Sequence, residues 1–410
     1  MHHYWKFLAE NWRFLAFGVL TAMLSGYGQT FYIAVFGGEL RADFNLSHSE
    51  FGLLYSLATL GSGLLIVWAG RKLDTMSLAW FVTLVSGGVV AGALLLSVAQ
   101  TAIMLGLALF LLRFCGQGLF THVSATSMGR YFDQNRGKAV SIAAKGLPLS
   151  EAVMPAIGVA LIAAIGWRAT WFWSAVIMAV FFLPLLLWLL RGHSQQVIDH
   201  ATSQRKADAE KQACAPRQWT RAEVLRDKRF YRLLPAVLAA PLTVTAILFH
   251  LAYLAEGKDW SMAWVAGSFT GFALAHVAGL MFAGPLLDKI GARPILRFYL
   301  LPMMLGLLIL AWFDQPITAW VFMLLTGLSL GGAGTLLGAL WPMLYGVVHL
   351  GSIRAVVHAA MVLSTAITPY AAGVALDLGW SMEDVALALA VYIALALALA
   401  WRVLDQPVNR

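Results

Sequence analysis

Apolar residues fill most of the chain in runs of about 20, and short polar or charged segments separate the runs. A helix needs roughly 20 apolar residues to cross a bilayer, so each run predicts one membrane span. Open strands leave backbone groups unsatisfied in lipid, which makes helices the expected form. The pattern predicts twelve spans, at 14–37, 50–70, 77–98, 101–126, 139–164, 170–190, 233–254, 262–284, 294–313, 317–346, 354–376 and 384–403.

A single long polar segment, 191–232, interrupts this pattern near the middle of the chain. It holds ten of the 28 lysines and arginines, and only five acidic residues. Short cytoplasmic loops of membrane proteins accumulate basic residues, so the segment is expected on the cytoplasmic side. The sequence therefore predicts an N-terminal six-helix bundle at 1–190, a basic linker at 191–232 and a C-terminal six-helix bundle at 233–410.

Composition excludes a soluble protein. Hydrophobic residues make up 60% of the chain, charged residues 12%, and the mean hydropathy is +0.76; soluble domains carry roughly 25% charge. The net charge is +8, but the basic residues follow apolar runs, so they indicate topology and contacts with anionic lipid and not nucleic acid. The two cysteines predict no disulfide framework. No cofactor, no metal motif and no phosphate-binding loop for ATP is predicted.

The basic residues also predict the orientation. With the N-terminus placed inside, 23 lysines and arginines fall on the cytoplasmic side and three, Arg41, Arg168 and Lys258, fall outside. This asymmetry predicts that both termini are cytoplasmic, with the N-terminal span retained. We expect a monomer in the cytoplasmic (inner) membrane of a bacterium.

The two halves of the sequence repeat at an offset of 213 or 214 residues. Five elements share this offset: Gly70 to Asp74 with Gly284 to Asp288, Pro155 with Pro369, Gly118 with Gly332, Tyr131 with Tyr345, and Gly166-Trp167 with Gly379-Trp380. Two six-span halves in the same orientation are typical of rocker-type secondary transporters. The repeat predicts an all-α membrane protein with twelve transmembrane helices in two six-helix bundles related by pseudo-twofold symmetry.

The segment 284–293, Gly-Pro-Leu-Leu-Asp-Lys-Ile-Gly-Ala-Arg, resembles the signature loop G-x-x-x-D-[RK]-x-G-x-[RK] of the major facilitator superfamily. In that family the loop follows the second span and recurs after the eighth. The resemblance implies a gating role, in which glycine allows close helix packing and the acid accepts from a helix N-terminus. The residues that it places in this role are Gly70, Asp74, Gly284, Asp288 and Arg293.

Three further stretches are similar to the bacterial monocarboxylate-transporter-like branch of that superfamily. They are Leu46-Ser-His-Ser-Glu-Phe-Gly52, Phe249-His250 and 345–354, Tyr-Gly-Val-Val-His-Leu-Gly-Ser-Ile-Arg. The similarity implies transport of small organic acids together with protons. In that branch span eight carries an Asp, an Arg four residues later and then the signature glycine; His276 and Leu280 stand at the first two positions here.

Charged residues inside spans are the first candidates for function, because charge in the bilayer is costly and normally faces a cavity or a partner. At 1.5 Å per residue, Arg113 lies ~18 Å from the start of span 4, and Lys145 and Glu151 lie ~10 and ~20 Å along span 5. Two cations at similar depth predict a pocket that attracts an anion. Arg113 could instead be bonded to carbonyls or to Glu151 as structural support, and Lys145 could extend to the lipid surface.

Proton coupling has two candidate carriers. Glu151 is a carboxyl inside span 5, and His276 lies in the middle of span 8, where histidine can titrate near neutral pH. Each could also be structural, Glu151 as a permanent ion-pair partner and His276 as a helix-packing residue. The segment beginning Arg113-Phe-Cys-Gly116 resembles the fourth-span motif R-x-x-x-G-x-G of the superfamily, whose arginine is tied to proton coupling. Further residues predicted to line the substrate path are Gln29, Tyr32, Tyr55, Gln117 and Trp341.

These observations predict a secondary active transporter, not an enzyme, that moves a small organic anion by proton symport and alternating access. An exporter of amphipathic or siderophore-like compounds is an alternative, because the chain holds 16 tryptophans and 23 phenylalanines. A non-transporting membrane receptor on the same scaffold is another.

Overall fold

The computed structural model describes residues 2–72, 76–132, 136–192, 218–346 and 348–404. They form helices and turns, with no strand in these ranges. Eleven of the described helical segments are long and apolar enough to cross a membrane. One of them, Gly137–Leu189, has 53 residues, and its interruption at Gly166 (φ 78°, ψ 161°) separates two spans. The predicted twelve-span, all-helical fold is thereby confirmed.

The first six spans contain several breaks that the apolar pattern did not predict. Span 1 begins with the polar N-terminal residues, earlier than predicted, and span 4 contains a wide π-helical turn in its centre. The helical segments, in order, are His2–Leu24, Ser25–Gly28 and Thr30–Val35 for span 1; Gly37–Phe44 before span 2; His48–Lys72; Leu78–Ser97; Ala102–Leu111, Leu112–Phe120 and Thr121–Tyr131 for span 4; and Arg136–Ala144, Gly146–Ile177, Met178–Phe182 and Leu183–Leu189 for spans 5 and 6.

The last six spans are more regular. The helix of span 7 begins inside the segment predicted as linker, because Asp227 caps its first turn by accepting from the backbone N–H of Arg229. The segments are Arg221–Val224 in the linker; Lys228–Phe249 and Leu251–Gly257 for span 7; and Met262–Ile290 for span 8. Span 9 consists of Ala292–Phe298 and Leu301–Trp312, and spans 10, 11 and 12 are Ile317–Tyr345, Leu350–Asp377 and Met382–Leu404.

The chain divides into two compact units. The first consists of Met1–Asn45 and Leu57–Lys211, and the second of Leu46–Ser56 and Gln212–Arg410. The helix His48–Lys72 therefore contributes its first turns to the second unit and the rest to the first. This division differs from the predicted boundary at the linker, because the start of span 2 packs with the C-terminal half of the chain.

The backbone repeats the same local conformations in the two halves. Asn45 (φ 50°) and Asp259 (φ 53°) adopt the left-handed conformation 214 residues apart. Gly166 (φ 78°) and Gly379 (φ 93°) do so at an offset of 213 residues. Left-handed backbone is uncommon outside glycine. Paired occurrences at the sequence offset therefore show that the internal repeat extends to the turns between spans.

Span 1 is broken where it approaches span 4. The 3₁₀ segment Ser25–Gly28 is followed by Gln29 in an extended conformation (φ −78°, ψ 149°). A Cβ on Gly28 would overlap the carbonyl oxygen of Leu112, and one on Gly116 would lie 2.7 Å from the Gly28 nitrogen. Only glycine allows this approach, and the π-helical turn of span 4 lies at the same contact.

Gly28→Ala is expected to destabilise the protein strongly, because backbone atoms and not a flexible side chain occupy the space of the new methyl group. Overpacking costs about 1–3 kcal/mol, occasionally more. Gly87→Ala is the matched control, since a Cβ at Gly87 has no described atom within 4 Å. Thermal unfolding of the detergent-purified variants measures the difference. Equal melting temperatures for the two would contradict the described contact.

Candidate functional site

Arg113 lies at the centre of the first unit and is only 1% exposed. Its Nε donates to Thr59 Oγ1 at 3.0 Å, and its Nη1 donates to the carbonyl oxygen of Gly28 at 3.1 Å. The break in span 1 removes the regular helical partner of that carbonyl, and a buried carbonyl in a membrane protein needs another donor. Arg113 supplies one, and it thereby joins spans 1, 2 and 4.

This geometry matches the structural alternative for Arg113. The described partners of the guanidinium are protein groups, and the side chain is sealed from water. Arg113 therefore supports the broken part of span 1, and contact with a solute would require a different arrangement of these helices.

Lys145, in contrast, is exposed and lines a cavity of about 240 Å³ in the first unit. It lies at the junction of the helices Arg136–Ala144 and Gly146–Ile177. The other lining residues are Gly137, Lys138, Ser141 and Ile142. Lys138, Ser141 and Lys145 are spaced i, i+3 and i+7, which puts them on one face of the helix. The two ammonium-bearing residues are separated by a rise of ~10 Å.

We call Lys138, Ser141 and Lys145 the lysine stripe. Lys145 was predicted from its position inside a span, whereas the other two were missed. The helical spacing from Lys145 was the signal that could have found them, together with their place in the same span. Two cations with a hydroxyl between them form a surface that attracts an anion and donates hydrogen bonds to it.

A second cavity, of about 160 Å³, lies on the opposite face of span 5, where spans 1, 4 and 5 meet. Three hydroxyls line it, from Ser25, Thr121 and Ser124, and the rest of its wall is Ala, Val and Leu. Ser25 Oγ donates to Ala22 O at 2.6 Å and Ser124 Oγ donates to Gly18 O at 2.7 Å. Each oxygen keeps acceptor capacity, so the cavity suits a small, partly apolar molecule.

Glu151, a predicted proton carrier, is 3% exposed in the same unit. It follows Ser150, whose side chain occupies the space that a Cβ on Gly26 would need. Span 5 thus packs closely on the broken part of span 1 beside Glu151. The carboxyl is about 9 Å along the helix from Lys145 by the helical rise.

The remaining predicted lining residues of the first unit divide into two groups. Tyr32 is 3% exposed, and its ring lies 5.5 Å from that of Trp171 and 5.8 Å from that of Tyr27, so it belongs to an aromatic core. Gln29 and Gln117 are half-buried and lie at the contact between spans 1 and 4.

In the second unit the predicted site residues are packed in the interior. Tyr55 is fully buried against Phe249, with ring centroids 4.6 Å apart. Trp341 is 2% exposed and stacks with Tyr345 at 6.2 Å. His276 is 8% exposed, beside the ring of Phe272, which agrees with the helix-packing alternative for this histidine.

The predicted gating residues are only partly described. A Cβ on Gly70 would lie 3.2 Å from His122 Nε2, so Gly70 does allow a close approach. Asp74 lies outside the described residues. Among the described atoms, none is within 4 Å of the Cβ position at Gly284, so this glycine does not mark a close helix contact here. Asp288 is exposed and Arg293 half-buried.

Within the described ranges, no group of three or more His, Cys, Asp or Glu side chains is arranged to hold a metal ion. Cys115 is a buried free cysteine; Cys214 lies outside those ranges.

Comparisons with known proteins agree with this architecture. The family model of the Major Facilitator Superfamily matches residues 18–270 and 263–410. A search of curated protein sequences returns no significant match. One similar solved structure is a bacterial homolog to the human lysosomal transporter Spinster, in an inward-facing and unoccupied conformation. It matches with a TM-score of 0.67 and 15% identity over 95% of this chain and 96% of that one, a likeness of fold. The family match covers more than half of the sequence, so the chain belongs to the Major Facilitator Superfamily and is a multi-pass secondary transporter, not an enzyme.

Proposed function

We propose that this transporter moves a small organic anion of the monocarboxylate type by proton symport. The lysine stripe is the observation that carries the proposal. A lysine inside a membrane span is expensive unless it faces water or a partner. Lys145 is exposed, and it lines a cavity together with Lys138 and Ser141. A watery path that carries negative charge explains why the span keeps Lys145, and Lys138, just before the predicted span, extends the same positive surface towards the cytoplasmic end.

The second cavity supports a small solute. Its volume of about 160 Å³ is below the roughly 300–1,000 Å³ of pockets for drug-sized ligands. Its hydroxyls suit the polar end of an organic acid and its alanine wall suits a short hydrocarbon part. In this proposal the lysine stripe attracts the anion to the protein, and this cavity is a separate site on the other face of span 5 that fits the apolar portion of the solute.

In this proposal the buried residues support the helices or carry the proton and do not attract the solute. Arg113 holds the broken span 1 in place, and Glu151, on the same span as Lys145, carries the proton. His276 is the alternative carrier in the second unit. We take the protein as a monomer in a bacterial cytoplasmic membrane, and the distribution of basic residues supports placing both termini inside.

Uptake into proteoliposomes tests the proposal. With the interior alkaline, we expect accumulation of labelled lactate above the level in protein-free liposomes, and collapse of the accumulation when a protonophore dissipates the gradient. Equal accumulation of lactate with and without protein would exclude the monocarboxylate as a substrate. Transport restricted to bulky amphipathic compounds would favour the exporter, and a protein that moves neither class would fit a receptor.

A further inference from the structure

Two buried histidines from distant parts of the sequence lie side by side in the second unit. His48 is 9% exposed and His250 is 3% exposed, and their ring centroids are 5.7 Å apart. They come from Leu46–Gly52 and Phe249-His250, two of the three stretches that resemble the monocarboxylate-transporter-like branch. Neither histidine has a part in the function proposed above.

Hydrogen bonds hold both histidines in place. His250 Nε2 lies 3.0 Å from the carbonyl oxygen of Pro369. A carbonyl only accepts, so this nitrogen carries the hydrogen in both the neutral and the charged ring. The carboxylate of Asp377 accepts from the backbone N–H of His48 at 3.1 Å and of Ser49 at 2.9 Å. It thereby caps the first turn of the helix that begins at His48.

Close packing shields the pair from water. A Cβ on Gly52 would lie 2.5 Å from the same Pro369 oxygen, so the helix of span 11 touches the backbone of span 2. The rings of Phe51 and Phe249 stack at 4.9 Å. The segment Leu46–Ser56 is therefore docked in the second unit by contacts that leave both imidazoles largely buried.

Charge decides how many protons this arrangement can hold. Tyr253 lies 4.3 Å from the His48 ring, and Asp377 is the acid bonded to the same turn. Asp377 is exposed, as are the other acids on the neighbouring turns, Glu50 and Glu256. The Asp377 carboxylate, bonded to the backbone of His48, is the acid that favours a single imidazolium here. Two imidazolium rings with centroids 5.7 Å apart repel each other in a shielded site.

We propose that His48 and His250 form a proton-binding site that controls the docking of the segment Leu46–Ser56. The docked segment holds at most one proton on the pair. A second proton binds when the segment leaves its place and both rings become hydrated. Histidine changes its charge between pH 5 and 8, so acid releases the segment and neutral pH docks it. The site responds to protons whichever solute the transporter carries.

Hydrogen exchange of the full-length protein in lipid nanodiscs tests this at pH 5 and pH 8, after correction for the intrinsic exchange rate. If the released segment binds one proton more than the docked segment, the equilibrium constant for release changes by up to about tenfold per pH unit. We expect peptides covering 46–56 to exchange at least about tenfold faster at pH 5. His48→Gln and His250→Gln should keep slow exchange at both pH values, because glutamine stays neutral and its amide can donate as the ring does.

His358→Gln is the matched control, since His358 lies on span 11 roughly 16 Å along the helix from Pro369; it should behave as the wild type. Peptides from Met262–Ile290 report on the rest of the unit. The proposal is overturned if the wild type exchanges equally at both pH values, or if the pH effect persists in both glutamine variants. Fast exchange at both pH values in both variants also overturns it, because packing and not charge would then control docking.

Discussion

Lys145→Gln is expected to lower the kcat/KM for uptake of the anion about 10- to 100-fold while leaving the melting temperature unchanged. A hydrogen bond to a charged group contributes about 1.5–3 kcal/mol, which corresponds to this range of rates. Stability should not change, because the Lys145 side chain is exposed. Lys145→Arg should keep most of the activity, since it keeps the positive charge on the stripe.

Initial uptake rates in proteoliposomes, normalised to reconstituted protein, measure this effect. Lys6→Gln is the matched control, because Lys6 is also an exposed lysine at a helix surface, where it pairs with Glu10. It should transport as the wild type. If Lys145→Gln does so too, the lysine stripe lies outside the path of the solute and the proposed function loses its main support.

Arg113→Gln is expected to remove transport and also to lower the melting temperature. The guanidinium holds the Gly28 carbonyl and the Thr59 hydroxyl in the interior, and both lose their donor. Breaking a buried charged interaction on one side costs about 3–5 kcal/mol. Arg113→Lys should also be impaired, because a lysine cannot reproduce the two-point geometry of the fork.

Thermal unfolding and uptake of the same variants distinguish a structural role of Arg113 from a role in binding the solute. Arg402→Gln is the control, because Arg402 is an exposed arginine in the last turns of the final helix, and it should melt with the wild type. A solute ligand alone would lose uptake at an unchanged melting temperature. If Arg113→Gln has the same melting temperature as the wild type, Arg113 does not stabilise the broken part of span 1 in the manner described.

The membrane spans and the family were predictable from the sequence because both depend on local features. The length of an apolar run decides whether a helix can cross the bilayer, whatever it packs against. The signature loop at 284–293 is a contiguous motif, and the family match confirms the superfamily that it implied. The breaks within spans were less predictable. Two glycines precede Gln29, but only the backbone of span 4 explains why the helix stops there.

The roles of the charged residues depended on the tertiary structure. Arg113 and Lys145 look equivalent in the sequence, as cations at similar depth on consecutive spans. In the fold Arg113 donates to a backbone carbonyl and a hydroxyl, whereas Lys145 lines a cavity. Burial is decided by what the neighbouring helices present, and those neighbours come from residues 54 to 85 positions away.

The sequence by itself determined the membrane spans, through the length of its apolar runs, and pointed to the superfamily through a loop that resembles the family's signature. Only the tertiary structure decided that the start of span 2 belongs with the C-terminal half, that His48 lies against His250, and which cations are sealed. The reason is physical: helix formation in lipid needs only the segment's own apolar residues and backbone hydrogen bonds. The fate of a polar side chain instead depends on which distant helix supplies its partner.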